Sequence, residues 1–171
     1  MESLLEAFSL IPDPNALLIL CGVGDAESTI QRYSDIDHRI RFLGQIPRDE
    51  VMELQSRATV LVNPRTNNSE YTKYSFPSKL MEYLSAGVPV VAHELPGVPV
   101  EYANYIFYTK EQTPAGLADK LIEVCSMDPA IRRRRAEAAR TWVQTQKDPY
   151  TQTERILKLM ASVPLPEGLE E

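Results

Sequence analysis

The sequence is poor in the residues that build metal sites and disulfide scaffolds. It contains two cysteines and two histidines among 171 residues, and Cys21, Cys125, His38 and His93 lie far apart along the chain. Zinc motifs need closely spaced ligand pairs, so no zinc motif can be drawn. Both cysteines lie in apolar stretches and are predicted to be buried thiols rather than a disulfide.

Long apolar runs and an excess of positive charge are also missing. No apolar run approaches the roughly 18 residues of a membrane-spanning helix, and residues 1–6 show no signal peptide. The 18 basic residues are outnumbered by 24 acidic ones, which gives a net charge of −6. A nucleic-acid partner is therefore not predicted. The four consecutive arginines at residues 132–135 would point around most of a helix, which favours a solvated helix over a binding patch.

The chain alternates short apolar runs with helical stretches. Continuous apolar runs predict strands buried on both faces. This alternation predicts an α/β fold, a Rossmann-like doubly wound parallel sheet, over residues 1–162. The last residues, 163–171, contain two prolines and three glutamates and are predicted to be a disordered tail. The predicted strands are 16–21, 39–43, 59–62, 88–92 and 105–108, and the predicted helices are 4–10, 26–33, 47–57, 77–87, 114–127, 129–146 and 149–162.

The start of the fourth predicted helix carries the clearest chemistry. Pro77 at the first helical position would leave the amides of Ser78, Lys79 and Leu80 unpaired, and such amides can hold phosphate oxygens. Glu82 follows Ser78 by one turn on the same face, where a carboxylate can accept both hydroxyls of a ribose. The arrangement fits a nucleotide diphosphate. An ordinary amphipathic helix with a surface lysine and glutamate fits the same spacing.

A longer stretch resembles a known signature. Residues 76–91, Phe-Pro-Ser-Lys-Leu-Met-Glu-Tyr-Leu-Ser-Ala-Gly-Val-Pro-Val-Val, resemble the donor site of GT-B glycosyltransferases of family 4. In that family a pair of glutamates frames the segment, and the helix ends in Ala/Ser-Gly-x-Pro-Val-Val. Residues 18–24, 40–44 and 58–64 agree in order and spacing. The version at residues 72–79 looks like bacterial enzymes of surface or capsular polysaccharide synthesis.

The resemblance implies a set of donor-binding residues. Glu82 would bind the ribose, and the stretch from Phe76 to Leu80 would contact the diphosphate and the sugar through backbone amides. The loop after Gly44 would meet the base, and the glycines after the first strand would let the chain approach the ligand closely. The implied donor-binding residues are Gly22, Gly24, Gly44, Arg65, Phe76, Pro77, Ser78, Lys79, Leu80 and Glu82.

The catalytic residue is left open, because Tyr74 stands where the family has its first glutamate. A tyrosine cannot supply the negative charge of a carboxylate. Glu70 could substitute from the adjoining loop, or Tyr74 could bond a sugar hydroxyl. Glu101 is a third, weaker candidate.

The implied function is retaining transfer of a hexosyl group from a nucleotide diphosphate sugar to a glycan or lipid-linked acceptor. The chain would be the C-terminal, donor-binding half of the GT-B fold, without its first strand and its N-terminal acceptor-binding domain, and inactive alone. The resemblance implies no metal and no other cofactor. A cytoplasmic location is expected, and peripheral membrane association of the full-length enzyme stays open.

Two other functions were compatible with parts of the sequence. A non-catalytic nucleotide-sugar-binding module, or one subunit of a split transferase, is favoured by Tyr74. A flavodoxin-like or receiver-type signalling domain would need an acidic cluster after the first strand. Only Asp25 lies there, which disfavours that function.

Overall fold

The computed structural model describes residues 1–67 and 70–163, apart from the side chain of Tyr71. From residue 164 onward the predicted disordered tail lies outside the described residues. Two short 3-10 helices, Glu70–Lys73 and Val100–Asn104, were not predicted. The strands are β1 (Leu18–Leu20), β2 (Ile40–Phe42), β3 (Leu61–Asn63), β4 (Val90–Ala92) and β5 (Ile106–Tyr108), and the helices are α1 (Glu2–Ser9), α2 (Glu27–Ile36), α3 (Arg48–Arg57), α4 (Ser78–Ser85), α5 (Pro114–Ser126), α6 (Pro129–Gln146) and α7 (Pro149–Ser162).

Local sequence signals account for the helix boundaries. The last three helices each begin with a proline, whose fixed φ angle and missing N–H suit the first helical position. Thr113, Asp128 and Asp148 precede these prolines, and their side-chain oxygens accept hydrogen bonds from backbone amides of the first turn. Helix α4 ends just before Gly87, which adopts a φ of 71°, a backbone conformation that a residue with a Cβ atom rarely takes.

All strand pairs are parallel, which confirms the predicted α/β class. The strands do not form one continuous sheet, however. Within the described residues, β1 pairs with β2 in one sheet, and β3, β4 and β5 form a second in that order. The expectation of a single sheet is corrected, because strand patterns show which segments are extended but not which edges pair.

Strand β4 lies at the centre of the three-stranded sheet and is buried on both faces. Val90 and Ala92 face a cluster formed with α4 and α6, and Val91 faces a second cluster formed with α1 and α5. Burying each aliphatic side chain stabilises the fold by about 1.5–3 kcal/mol relative to its exposure. The two-layer covering explains the unbroken apolar run at residues 88–92.

The two-stranded sheet is covered less completely. One face packs on α1 and α2 through Leu5, Phe8, Ile30 and Ile40. On the other face Ile19 is 41% exposed. The same α1 helix also packs beneath the three-stranded sheet, so both sheets rest on one helical layer.

The fold bears on two predictions about side chains, those for the cysteines and for the run of arginines. Cys21 and Cys125 are free but exposed, so their prediction as buried thiols was wrong. Arg132 and Arg135 donate hydrogen bonds to the backbone carbonyls of Cys125 and Ile106 at 2.9 and 2.8 Å. Two of the four consecutive arginines therefore tie α6 to the chain before it.

No helix in the described ranges is long and apolar enough to cross a membrane.

Candidate functional site

Helix α4 begins at Ser78, so Pro77 is the extended residue just before the helix and not, as was predicted, its first helical residue. The amide of Leu80 donates to the Pro77 carbonyl at 2.9 Å, so the expectation that it is unpaired was wrong. Within the described residues, the amides of Ser78 and Lys79 have no recorded acceptor. Unpaired amides at the positive end of a helix dipole form a binding place for an anion.

Glu82 lies one turn further along α4. Its Oε1 atom accepts a hydrogen bond from Gln55 Nε2 at 2.6 Å and another from Lys79 Nζ at 3.0 Å. Its Oε2 atom has no recorded hydrogen bond to the described part of the chain. One carboxylate oxygen is therefore fixed, and the other remains able to accept hydrogen bonds.

The Glu82 carboxyl is held in its charged form. Burial alone would raise its pKa, but the hydrogen bonds from Gln55 and Lys79 and the charges of Lys79 and Arg48 outweigh burial. The pKa of Glu82 therefore lies below the usual 4.5. Near neutral pH the group is an anion that only accepts hydrogen bonds.

A cavity of about 430 Å³ adjoins Glu82 and Lys79. Its other side is formed by the loop after β2 and by the first turns of α3. The walls combine apolar side chains with the charged groups of Arg48, Lys79 and Glu82. The lining residues are Gln45, Ile46, Pro47, Arg48, Val51, Met52, Lys79 and Glu82.

The turns after β1 and β2 are joined to one another. The amide of Gly22 donates to the carbonyl of Gly44 at 2.7 Å. Gly44 has a φ of 62°, in the left-handed region that favours glycine. The amide of Gly24 donates to the Glu27 carboxylate at 2.9 Å, so it is occupied within its own turn.

The approach to α4 is fixed by close packing. Arg65 Nη2 donates to Ser75 Oγ at 2.7 Å, and the Phe76 ring lies 5.1 Å from that of Tyr102. A Cβ atom on Gly97 would come within 2.7 Å of the Ser75 carbonyl oxygen, so only glycine allows the two loops to meet there. Through its hydrogen bond to Ser75, Arg65 supports the segment that leads into α4.

The three candidate catalytic side chains are dispersed. The Tyr74 side chain is 83% exposed, and Glu70 is an exposed residue at the start of a 3-10 helix. Glu101 forms an ion pair with Lys147, whose amine also lies 5.0 Å from the Trp142 ring centre. No hydrogen bond or ion pair recorded for the described residues joins any of the three to another.

Two polar residues outside the predicted donor-binding set are buried near strand and helix ends. Gln55 on α3 is 7% exposed and contacts Glu82. His93, which follows β4, is 1% exposed, and its Nδ1 atom lies 2.7 Å from Thr109 Oγ1. Residues 1–67 and 70–163 contain no group of three or more His, Cys, Asp or Glu side chains that could hold a metal ion.

Residues 1–142 match the family described as Glycosyl transferases group 1. The chain belongs to this family. Among curated relatives it is 30% identical over 107 residues to D-inositol 3-phosphate glycosyltransferase of Corynebacterium diphtheriae, covering 58% of this chain and 24% of the relative. It is 27% identical over 152 residues to N-acetyl-alpha-D-glucosaminyl L-malate synthase of Bacillus anthracis, covering 85% of this chain and 38% of the relative.

Solved glycosyltransferase structures share the fold of this group 1 chain. The Anabaena protein Alr3699/HepE in complex with UDP superposes with a TM-score of 0.74 at 20% identity, covering 95% of this chain and 45% of HepE. WaaG, a glycosyltransferase involved in lipopolysaccharide biosynthesis, superposes with a TM-score of 0.67 at 22% identity, covering 95% of this chain and 43% of WaaG. The fold is thus that of the GT-B glycosyltransferases, as expected. The chain spans less than half the length of these relatives.

Proposed function

We propose that this group 1 chain binds a nucleotide diphosphate sugar and is the donor-binding half of a retaining, hexosyl-type glycosyltransferase. The observation that carries the proposal is the arrangement at α4. Two amides that have no recorded acceptor among the described residues precede, by one turn, a charged carboxylate that borders a cavity. One turn of helix is about 5.4 Å long, a separation that suits a diphosphate next to a ribose.

Each part of the nucleotide has a matching surface. The amides of Ser78 and Lys79 would hold the diphosphate, and the free Oε2 atom of Glu82 would accept the two ribose hydroxyls. The base would enter the cavity between Ile46 and Met52. Related structures support this ligand class, because HepE was determined with UDP and with UDP-glucose.

The chemical task is to stabilise the diphosphate leaving group while the sugar becomes oxocarbenium-like. Lys79 and the helix amides supply positive charge at the place where the leaving group would develop negative charge. The proposal therefore includes donor binding without a metal ion. Treatment with EDTA should leave the affinity for the nucleotide unchanged, and loss of binding that added Mg²⁺ restores would contradict this point.

The broken sheet supports the proposal that the intact enzyme has another strand. The greater length of the relatives supports the proposal that it also has an acceptor-binding domain. The edge of β1 away from β2 and the edge of β3 away from β4 have no strand partner among the described residues. Both sheets rest on α1, so one parallel strand between them would join them into a single sheet. The acceptor, proposed as a glycan or lipid-linked molecule, would approach from the added domain. We propose that the intact enzyme is located in the cytoplasm.

A non-catalytic donor-binding subunit is the second candidate function. Tyr74, which stands where an acid was expected, is 83% exposed and has no recorded hydrogen bond within the described ranges. Joining the chain to an acceptor-binding partner and measuring sugar release would separate the two functions. Release would support the transferase, and binding without release would support the module.

Calorimetric titration with nucleotide diphosphates and their sugars tests the proposed ligand class. We expect one nucleotide series to bind, and Glu82→Ala to weaken that binding at least about tenfold, because hydrogen bonds to a charged group contribute about 1.5–3 kcal/mol. Glu137→Ala, at an exposed position on α6, is the matched control and should bind like the parent. Equal binding by Glu82→Ala would remove the ribose assignment.

A further inference from the structure

Gln55 is the one residue of α3 that is buried among the described residues. A buried amide is costly unless it is hydrogen-bonded, and an apolar residue would pack at such a position more favourably. The side chain makes one recorded hydrogen bond, from Nε2 to Glu82 Oε1 at 2.6 Å, while its own Oε1 atom has no partner in residues 1–67 and 70–163. The hydrogen bond to Glu82 is therefore the main polar interaction that compensates for burying the Gln55 amide.

Glu82 Oε1 receives two donors of different character. Lys79 is a cation whose side chain is 59% exposed, and it lies in the first turn of α4 beside the two unpaired amides. A ligand phosphate would attract this amine away from Glu82. Gln55 is neutral and buried on a different helix, so it cannot follow.

We propose that Gln55 is a positioning residue that fixes Glu82 Oε1, so that Oε2 stays directed at the ribose hydroxyls after Lys79 turns to the diphosphate. A neutral amide suits this role because it orients a carboxylate without cancelling the charge that makes it a strong acceptor. This inference rests on the proposed donor function.

A purely structural tie between α3 and α4 is the alternative, and a double-mutant cycle separates the two roles. Gln55→Met keeps the length of the side chain and the helix propensity but removes the hydrogen bond. We expect it to weaken UDP binding about fivefold to tenfold and to leave inorganic diphosphate binding unchanged. In a Glu82→Ala background the same substitution should change UDP affinity less than about twofold.

The preference for UDP over 2′-deoxy-UDP gives a second readout of Glu82 geometry. Gln55→Met should reduce this preference. Lys79→Ala should weaken UDP binding but retain the preference, because Gln55 still holds the carboxylate. Gln144→Met, an exposed position on α6, should match the parent in every measurement.

A measurement without ligand keeps this inference distinct from the donor proposal. The carboxyl ¹³C signal of Glu82 reports its pKa, which Gln55, Lys79 and Arg48 lower. Gln55→Met should raise that pKa. If the parent binds no nucleotide but the pKa rises, the donor function fails while Gln55 still positions Glu82.

Three results would overturn the proposal: an unchanged Glu82 pKa in Gln55→Met, an equal loss of UDP affinity with and without Glu82, or a lost hydroxyl preference in Lys79→Ala. Because Lys79 is mostly exposed, the last variant tests the idea even if Gln55→Met does not fold.

Discussion

At the scale of single residues, the donors around a carboxylate determine which of its atoms can meet a ligand. Gln55 and Lys79 share one oxygen of Glu82, and the second oxygen is left as an acceptor beside the cavity. His93 is also partnered at only one of its two polar atoms. Its Nδ1 atom is paired with Thr109, while its buried Nε2 atom has no partner in the described part of the chain.

We predict that His93 makes the fold sensitive to mild acid. Burial lowers the pKa of His93 below its ordinary 6.5, because the imidazolium form loses hydration. Above pH 6.5 His93 is neutral in both the folded and the unfolded chain, so its protonation does not reduce the stability of the fold there. Below that pH the unfolded chain takes up a proton that the folded chain does not, and stability falls toward the lowered pKa, with a slope of at most about 1.4 kcal/mol per pH unit.

Urea unfolding of the parent and of His93→Gln across the range in which histidine changes charge, about pH 5 to pH 8, measures this slope. The slope below pH 6.5 should disappear in His93→Gln and persist in His38→Gln, which changes an exposed histidine. An identical slope in the parent and in His93→Gln would show that His93 is not the responsible group.

At the scale of elements, the start of α4 depends on the loop that packs behind it. Gly97 contacts the Ser75 backbone so closely that an added Cβ atom would lie 2.7 Å from a carbonyl oxygen. The segment from Ser75 to Pro77 carries the chain into the helix whose first amides are proposed to bind diphosphate. Its position therefore controls the direction of those amides.

Gly97→Ala is predicted to weaken UDP binding about tenfold, because the loop must move away from Ser75 and tilt the first turn of α4. Gly87→Ala is the comparison at the other end of the helix, where φ is 71°. It should destabilise the fold by about 1–2 kcal/mol and leave the affinity of the folded protein nearly unchanged. Calorimetry and urea unfolding measure both quantities, and unaltered UDP affinity in Gly97→Ala would refute the link.

At the scale of the whole molecule, the fold consists of two parallel sheets that share one helical layer. In each parallel pair, alternate residues direct their backbone groups toward the partner strand. The amide of Leu18 donates to the carbonyl before β2, and the amide of Leu61 donates to the carbonyl before β4. The amides of Ile19 and Val62 therefore point to the strand edges that have no partner among the described residues.

Hydrogen exchange should reveal this break in the sheet. The amides of Ile19 and Val62 are expected to exchange at least about a hundredfold faster than that of Val91, which lies in the central strand, because exposed backbone groups open at low free energy. Equally slow exchange at all three amides would contradict the two-sheet arrangement.

The sequence predicted the order of the strands and α-helices and the start of α4 to within one residue, because apolar runs, prolines and glycines act locally. It missed the two 3-10 helices and the pairing of the Leu80 amide. It could not predict which strand edges pair, since that depends on contacts between distant segments. Gln55 was missed for a similar reason: α3 is a polar helix, and nothing in its spacing shows that one amide is buried against Glu82. The exposure of Tyr74 and the burial of His93 likewise follow from loop positions that the sequence does not encode locally.

Amide chemical-shift mapping with UDP tests the central claim most directly. The account predicts that the largest shifts occur at Ser78, Lys79 and Glu82, with a second set at Ile46 and Met52 around the adjoining cavity. Shifts that cluster instead around Glu94 and Lys110, which line a separate cavity, would contradict it. The absence of shifts with every nucleotide diphosphate would contradict it as well.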